Sequence, residues 1–266
     1  MSTNWPFAET QPDEKILVQG FPQPDHPAEP DLFARQVAMP GHDQARVEAA
    51  HILVVGCGGL GGWIALALAR LGVRRLTLVD PDRFDRTNAP RQLVYADELG
   101  QPKAHAVARA IAPHMVKAGE IQAIATTVED VTHRLESGPD ALAVGVDNNA
   151  ARLAASAYAQ RLGIPAAFVM LSKDGLRVQA FLQHPAGPCL SCVLPDLNAR
   201  SLAPCAAASI ASCYLAVSHA VAMLLDGVMH SMPTLPTWRE TSLDGSTERT
   251  GHPQVRSSCS CARPPV

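Results

Sequence analysis

One stretch constrains this chain more than any other. His51-Ile52-Leu53-Val54-Val55 runs into Gly56-Cys57-Gly58-Gly59-Leu60-Gly61, and an apolar helical pattern begins at Trp63. An apolar run, a glycine turn and a helix start read as the first strand–helix step of a parallel sheet. Glycines at 56, 58, 59 and 61 let backbone N–H groups approach a phosphate closely, and the helix N-terminus favours its charge. A second apolar run, Arg75-Leu76-Thr77-Leu78-Val79, leads into Asp80, which puts a carboxylate where a ribose hydroxyl would sit. The stretch predicts nucleotide binding, used either for hydride transfer or for adenylation.

The remaining pattern fits an α/β fold. Residues 103–112 and 149–162 read as helices, and 121–128, 141–146 and 166–171 as strands of a parallel sheet. Arg177 to Leu182 reads as an antiparallel strand after the Lys173-Asp174-Gly175 turn. A long apolar helix is expected from about Ala208 to Leu225, and a strand from Trp238 to Leu243 before the Asp244-Gly245 turn. Leu32, Phe33, Val37 and Val47 suggest one or two short helices between 31 and 50. Prolines at 6, 12, 22, 24, 27 and 30 mark residues 1–30 as an irregular arm, within which Ile16-Leu17-Val18 has the composition of a short edge strand. Residues 31–266 read as one domain: a Rossmann-like, mostly parallel sheet with antiparallel C-terminal strands.

A chain of 266 residues with 47% hydrophobic content can bury a substantial core. A formal net charge of −3 gives no electrostatic footprint for nucleic acid. No apolar run approaches the roughly 20 residues of a membrane span. The start, MSTNWPFAETQPDEK, lacks the basic and apolar regions of a signal peptide. A cytoplasmic protein with neither a membrane nor a nucleic-acid partner is the expectation.

The segment after Asp80 separates the two uses of a nucleotide. Asp80-Pro81-Asp82 is followed by Asn88-x-x-Arg91-Gln92 and by Gly100-Gln101-Pro102-Lys103. Hydride transfer has no need of an arginine and a lysine near the phosphates. Splitting ATP does, because charge builds up on the triphosphate as its α-phosphorus is attacked. Asp147, at the end of a strand, could then hold Mg²⁺, which prefers carboxylate and phosphate oxygens. Singly, Arg91 and Lys103 read as surface charges and Asp147 as a helix cap; the ordered set favours ATP. An NAD-dependent oxidoreductase accounts for the glycines and Asp80 but leaves Arg91, Lys103 and Asp147 idle.

Seven cysteines, an odd number, argue against a disulfide framework and towards metal or thiol chemistry. Cys189-x-x-Cys192 reads as half of a tetrahedral zinc site, with Cys259 and Cys261 as the second pair. His252 is the nearest alternative ligand. Cys57 and Cys213 read as packing residues, and His105, His114 and His219 as surface or satisfied histidines.

Taken in order, Arg35-Gln36, the Gly56–Gly61 turn, Leu78-Val79-Asp80, Asn88 with Arg91-Gln92, Gly100-Gln101-Pro102-Lys103, Asp147, Pro188-Cys189-Leu190-Ser191-Cys192 and the closing cysteines resemble the ThiF/MoeB/HesA family, bacterial relatives of ubiquitin-activating enzymes. The resemblance runs from about residue 31 to 261. It implies adenylation of the C-terminal glycine of a ubiquitin-fold partner with Mg-ATP and release of pyrophosphate. By that likeness Asp80 binds ribose, Arg91 and Lys103 contact phosphates, Asp147 organises Mg²⁺, and Asn88 and Gln92 shape the site beside Asp82. Arg35 would reach the ATP of a second subunit, so a homodimer is implied. Cys205 resembles a loop cysteine that forms a thioester or persulfide in some members, and a helix N-terminus nearby would favour its thiolate. The family's second cysteine pair is Cys-x-x-Cys; here it is Cys-x-Cys, which strains the chelate or calls for another fourth ligand. The long N-terminus and this altered spacing favour a bacterial ubiquitin-like conjugation pathway, with a conjugating-like enzyme as a further partner. Sulfur-carrier activation for molybdopterin or thiamine synthesis is the alternative. A branch that dehydrates a modified tRNA adenosine ranks lower, because its members lack the zinc cysteines. An inactive scaffold is disfavoured by the intact Arg91, Lys103 and Asp147.

Overall fold

A computed structural model describes residues 13–22, 31–131, 134–135, 137–197, 208–259 and 261. In chain order the elements are β1 (Glu14–Val18), α1 (Ala34–Val37), α2 (Gln44–Ala49), β2 (His51–Val55), α3 (Gly61–Leu71), β3 (Arg75–Val79), α4 (Lys103–Ile111), β4 (Gly119–Ile124), α5 (Val128–Val131), β5 (Ala141–Val144), α6 (Asn149–Leu162), β6 (Ala166–Leu171), β7 (Arg177–Gln183), α7 (Leu190–Val193), α8 (Ile210–Met229), β8 (Trp238–Ser242) and β9 (Glu248–Gly251). Short 3₁₀ turns stand at Arg86–Asn88, Ala96–Glu98, Ala112–His114 and Pro195–Leu197.

The strands form one sheet in the order β1-β4-β3-β2-β5-β6-β7-β8-β9. The five inner strands from β4 to β6 are mutually parallel. Antiparallel strands flank them on both sides: β1 beyond β4, and β7, β8 and β9 beyond β6. The parallel core and antiparallel C-terminal strands agree with the sequence reading. The antiparallel strand at the other edge is the Ile16–Val18 segment, which joins the sheet although it lies in the proline-rich arm.

All five β2 residues are buried because helices cover both faces of a parallel sheet. Ile52 and Val54 face one core together with Ile64 and Leu68 of α3, Val107 of α4 and Ala220 of α8. Leu53 and Val55 face the other, with Tyr158 of α6 and Phe168 and Phe181 of β6 and β7. Phe168 and Phe181 are register partners with ring centroids 6.3 Å apart. The helix α3 ends at Gly72, whose φ of +96° is the left-handed stop that only glycine adopts cheaply, and a Cβ there would meet the Phe33 ring at 2.5 Å. Asn148 starts α6 by accepting from the Ala151 amide at 2.8 Å.

One expectation needs correction. The sequence reading found no apolar run approaching a membrane span, yet α8, at 20 residues, is long and apolar enough by length and composition to cross one. Ser212, Ser218, His219 and Asp226 interrupt the apolar residues in the sequence, and the helical span joins them into one element. Half of its most apolar window is buried in the protein, with Ala216, Ala220, Met223 and Leu224 in the core beside the sheet, which is the pattern of a core helix.

Candidate active site

Parallel strands aim their carboxyl ends the same way, so the loops leaving β2, β3, β4, β5 and β6 gather at one edge. The chain moves outward through β3 and β4 on one side of β2, and through β5 and β6 on the other. The crevice at such a reversal is where open α/β sheets bind ligands. It holds a cleft of about 610 Å³ lined by Gly56, Gly58, Gly59, Asp80, Asp82, Arg91, Gln92, Lys103 and Asp147.

The glycine turn is set by its own backbone. Gly56 has a φ of +88° and donates its N–H to the Val79 carbonyl at 2.8 Å. A Cβ on Gly61 would lie 1.6 Å from the Gly56 carbonyl oxygen, so only hydrogen fits there. Asp80 is 5% exposed and accepts from the Cys57 amide at 2.6 Å and the Asp82 amide at 2.8 Å. Burial raises its pKa above the ordinary carboxylate range, while Lys103 and these two amides act the other way. Each carboxylate oxygen keeps a further acceptor site for a ligand hydroxyl.

Lys103 is largely buried at the start of α4, and its Nζ donates to Asp82 Oδ2 at 2.9 Å. Asp82 thus aims the ammonium, a role the sequence reading did not give it. Arg91 donates from Nη1 to the Thr87 carbonyl at 2.8 Å, and its own carbonyl accepts from the Trp63 indole at 2.9 Å. Gln92 is buried, with its amide nitrogen 3.6 Å from where a Gly58 Cβ would stand. Its Oε1 is buried with no hydrogen-bond partner among the described residues. Asp147 is exposed at the cleft, because the helix cap is supplied by Asn148.

Two residues from the sequence reading stand apart. Asn88 accepts from the Asp85 amide at 3.1 Å and shapes the 3₁₀ turn ahead of Arg91; it does not line the cleft. Arg35 is exposed on α1, outside the cleft of its own chain. Cys205 lies outside the described residues. The cleft also takes in Thr126, Thr127 and Glu129 after β4, Ser172 and Lys173 after β6, and Arg152 on α6, none of which the sequence reading assigned to the site. The local signal at Arg152 is faint: a cation within the small and apolar stretch from Ala150 to Ala155.

Behind α6, the sulfur atoms of Cys189, Cys192, Cys259 and Cys261 all lie within 4.8 Å of one another. Cys189 and Cys259 are 3.4 Å apart, and Cys192 and Cys261 3.3 Å. Four thiolates about 2.3 Å from one tetrahedral ion would stand roughly 3.8 Å apart. The cluster therefore suits zinc, and the Cys-x-Cys pair completes it without His252, which is exposed elsewhere. Burial pushes the Cys259 thiol up, but hydrogen bonds from the Cys261 amide and the neighbouring thiols outweigh this and bring it to about 7. A buried network anchors the first pair: Ser156 donates to Gln183 Oε1 at 2.6 Å, and the Leu190 amide donates to the same oxygen at 3.1 Å.

Comparison with known proteins places residues 33–255 in correspondence with the ThiF family. The chain is 34% identical over 171 residues to adenylyltransferase and sulfurtransferase MOCS3 of Mus musculus, covering 61% of this chain and 36% of that protein. It is 30% identical over 174 residues to the SAMP-activating enzyme E1 of Haloferax volcanii, covering 62% of each. The chain thus spans less than two thirds of either relative's length. Among solved structures, E. coli MccB with ATP has the same fold, with a TM-score of 0.72 over 88% of this chain and 75% of that one at 19% identity.

Proposed function

This chain belongs to the ThiF family, and we propose that it is an ATP-dependent adenylyltransferase acting on the C-terminal carboxylate of a small ubiquitin-like or sulfur-carrier protein. One observation carries the reading. The glycine turn, Asp80, Arg91, Lys103 and Asp147, drawn from three separate loops and one helix start, border a single cleft at the carboxyl ends of parallel strands.

In this reading Asp80 accepts from the ribose hydroxyls and the glycine turn receives the phosphates. The partner's carboxylate oxygen attacks the α-phosphorus, the bond from that phosphorus to the bridging oxygen breaks, and pyrophosphate leaves with the electron pair. Arg91 and Lys103 stabilise the charge that grows on the leaving group, with Asp82 holding Lys103 in place. Gln92 offers its buried Oε1 at the glycine turn. Asp147 is the carboxylate suited to Mg²⁺, which when bound would neutralise phosphate charge. The four cysteines suit a structural Zn²⁺. Each feature beyond the glycines and Asp80 is superfluous for an NAD-dependent oxidoreductase.

Arg35 serves a second copy of the chain. It stands outside its own cleft, next to Val37 and Met39, which are 52% and 61% exposed, and a dimer would cover these apolar side chains. For the fate of the adenylate, sulfur transfer to give a thiocarboxylate is at least as well supported as conjugation through Cys205. The MOCS3 name carries a sulfurtransferase activity, and the Haloferax name carries an E1 activity.

The test is ATP–pyrophosphate exchange with candidate partners ending in glycine. Exchange that requires the partner and falls at least about a hundredfold in Arg91→Ala and Asp147→Ala is expected. Tight NAD binding with no exchange would sink the reading. Mass spectrometry of the partner then separates a thiocarboxylate from a Cys205 thioester.

A further inference from the structure

Three polar residues share one face of α6 at spacings of three and seven: Asn149, Arg152 and Ser156. Ser156 belongs to the cysteine anchor described above, Arg152 lines the cleft, and Asn149 lies between Arg152 and the Leu197 segment. Arg152 is only 5% exposed, a costly place for a guanidinium unless its donors are used. It donates from Nη2 to the Val146 carbonyl at 2.6 Å and from Nη1 to Asn149 Oδ1 at 2.9 Å, and it lines the cleft. Asn149 in turn donates from Nδ2 to the Leu197 carbonyl at 2.9 Å.

The Val146 carbonyl is the partner that matters. It shares a rigid peptide plane with the Asp147 amide. Fixing the direction of that carbonyl fixes the plane from which the Asp147 Cα and side chain project. Asn148 holds the other side of the same turn through the Ala151 amide. Asp147 is thus an exposed carboxylate on a turn clamped from both ends, and the stronger clamp is a buried cation.

We propose that Arg152 is a positioning residue for Asp147: it sets the carboxylate for a divalent cation bound with the nucleotide, and Asn149 ties that setting to the Leu197 segment, which also lines the cleft. This rests on the adenylation reading above. Lysine does not reproduce the arrangement, because the guanidinium presents two separate nitrogens in one fixed plane, one to each acceptor, where lysine has a single nitrogen on a flexible stem. Removing Asn149 leaves the charge but takes away one acceptor and the link to Leu197.

The experiment titrates the full-length protein with the fluorescent nucleotide TNP-ATP, with and without increasing Mn²⁺, and follows melting temperature alongside. In Arg152→Lys and Asn149→Ala the half-saturating Mn²⁺ is expected to rise about tenfold, as for other groups that orient a metal ligand. Nucleotide affinity without metal stays at the wild-type value. A merely structural arginine would lower the melting temperature and leave the Mn²⁺ dependence untouched, and that result overturns the proposal. Should Arg152→Lys fail to fold, Asn149→Ala decides by the same readout. Wild-type protein that binds no TNP-ATP overturns the adenylation reading and this inference with it. Metal-dependent binding that both variants share with the wild type overturns this inference alone.

Discussion

A methyl group at Gly61 would stand 1.6 Å from the Gly56 carbonyl oxygen, so Gly61→Ala has to open the turn itself. The expected outcome is loss of detectable nucleotide binding together with a lower melting temperature; unchanged TNP-ATP affinity would show that the turn tolerates rearrangement. Histidines give a second prediction. Burial lowers the pKa of His219, and His51, His105 and His184 shift the same way. The unfolded chain therefore takes up protons first as pH falls. Stability tied to the neutral rings is complete above the unfolded value near 6.5 and is lost as pH drops through that value towards the folded one. Melting temperature should fall between about pH 7.5 and pH 5.5. His219→Gln keeps a hydrogen-bonding side chain for Thr241 and should shrink that fall. At this scale the sequence was legible where chemistry is local. Gly56, Gly61 and Asp80 act within one strand–turn–helix step, and their spacing reports it. Arg152 was not legible, since its role depends on a carbonyl six residues back and on a partner that itself reaches Leu197.

Among the elements, the inner strands read correctly because both faces are covered and their residues form unbroken apolar runs. The errors lie where tertiary contacts draw the boundary. Residues 121–128 read as one strand, but the chain leaves the sheet after Ile124, where the Thr126 amide turns back onto the Ile124 carbonyl, and Val128 opens α5. β9 escaped notice because Glu248-Arg249-Thr250-Gly251 has no apolar alternation; pairing with β8 alone makes it a strand. The sequence placed β1 better than its proline-rich surroundings suggested, through the apolar, strand-forming run Ile16-Leu17-Val18. Glu14 pairs with Arg109 of α4 at 3.0 Å and Asp13 with Arg134 at 2.6 Å. Deleting residues 1–18 should bare the β4 edge, lower the melting temperature by several degrees and increase light scattering from aggregates. An unchanged melting temperature would reduce β1 to a passive attachment.

For the whole molecule, fold class and family were readable from the ordered motif set, whereas strand order and subunit arrangement depend on contacts that no local window contains. The proposed dimer makes a sharp prediction. Arg35→Ala and Asp147→Ala each remove exchange activity, but mixing the two after dissociation and reassociation should restore part of it, because mixed dimers contain one intact cleft. Absence of recovery in verified mixed dimers would show that Arg35 does not act across subunits. Chelation should release one Zn²⁺ per chain and lower the melting temperature, and Cys259→Ser should weaken metal retention. The cysteine cluster also has a temporal side. Its two pairs are some 70 residues apart in the chain, with α8, β8 and β9 between them. Cys189 and Cys192 leave the ribosome well before Cys259 and Cys261, so an ion gripped by all four thiols can be captured only once Cys261 has emerged. A nascent chain halted before Cys259 would already contain every described residue that lines the cleft and still lack its clasp, which makes metal content a record of whether translation has passed Cys261.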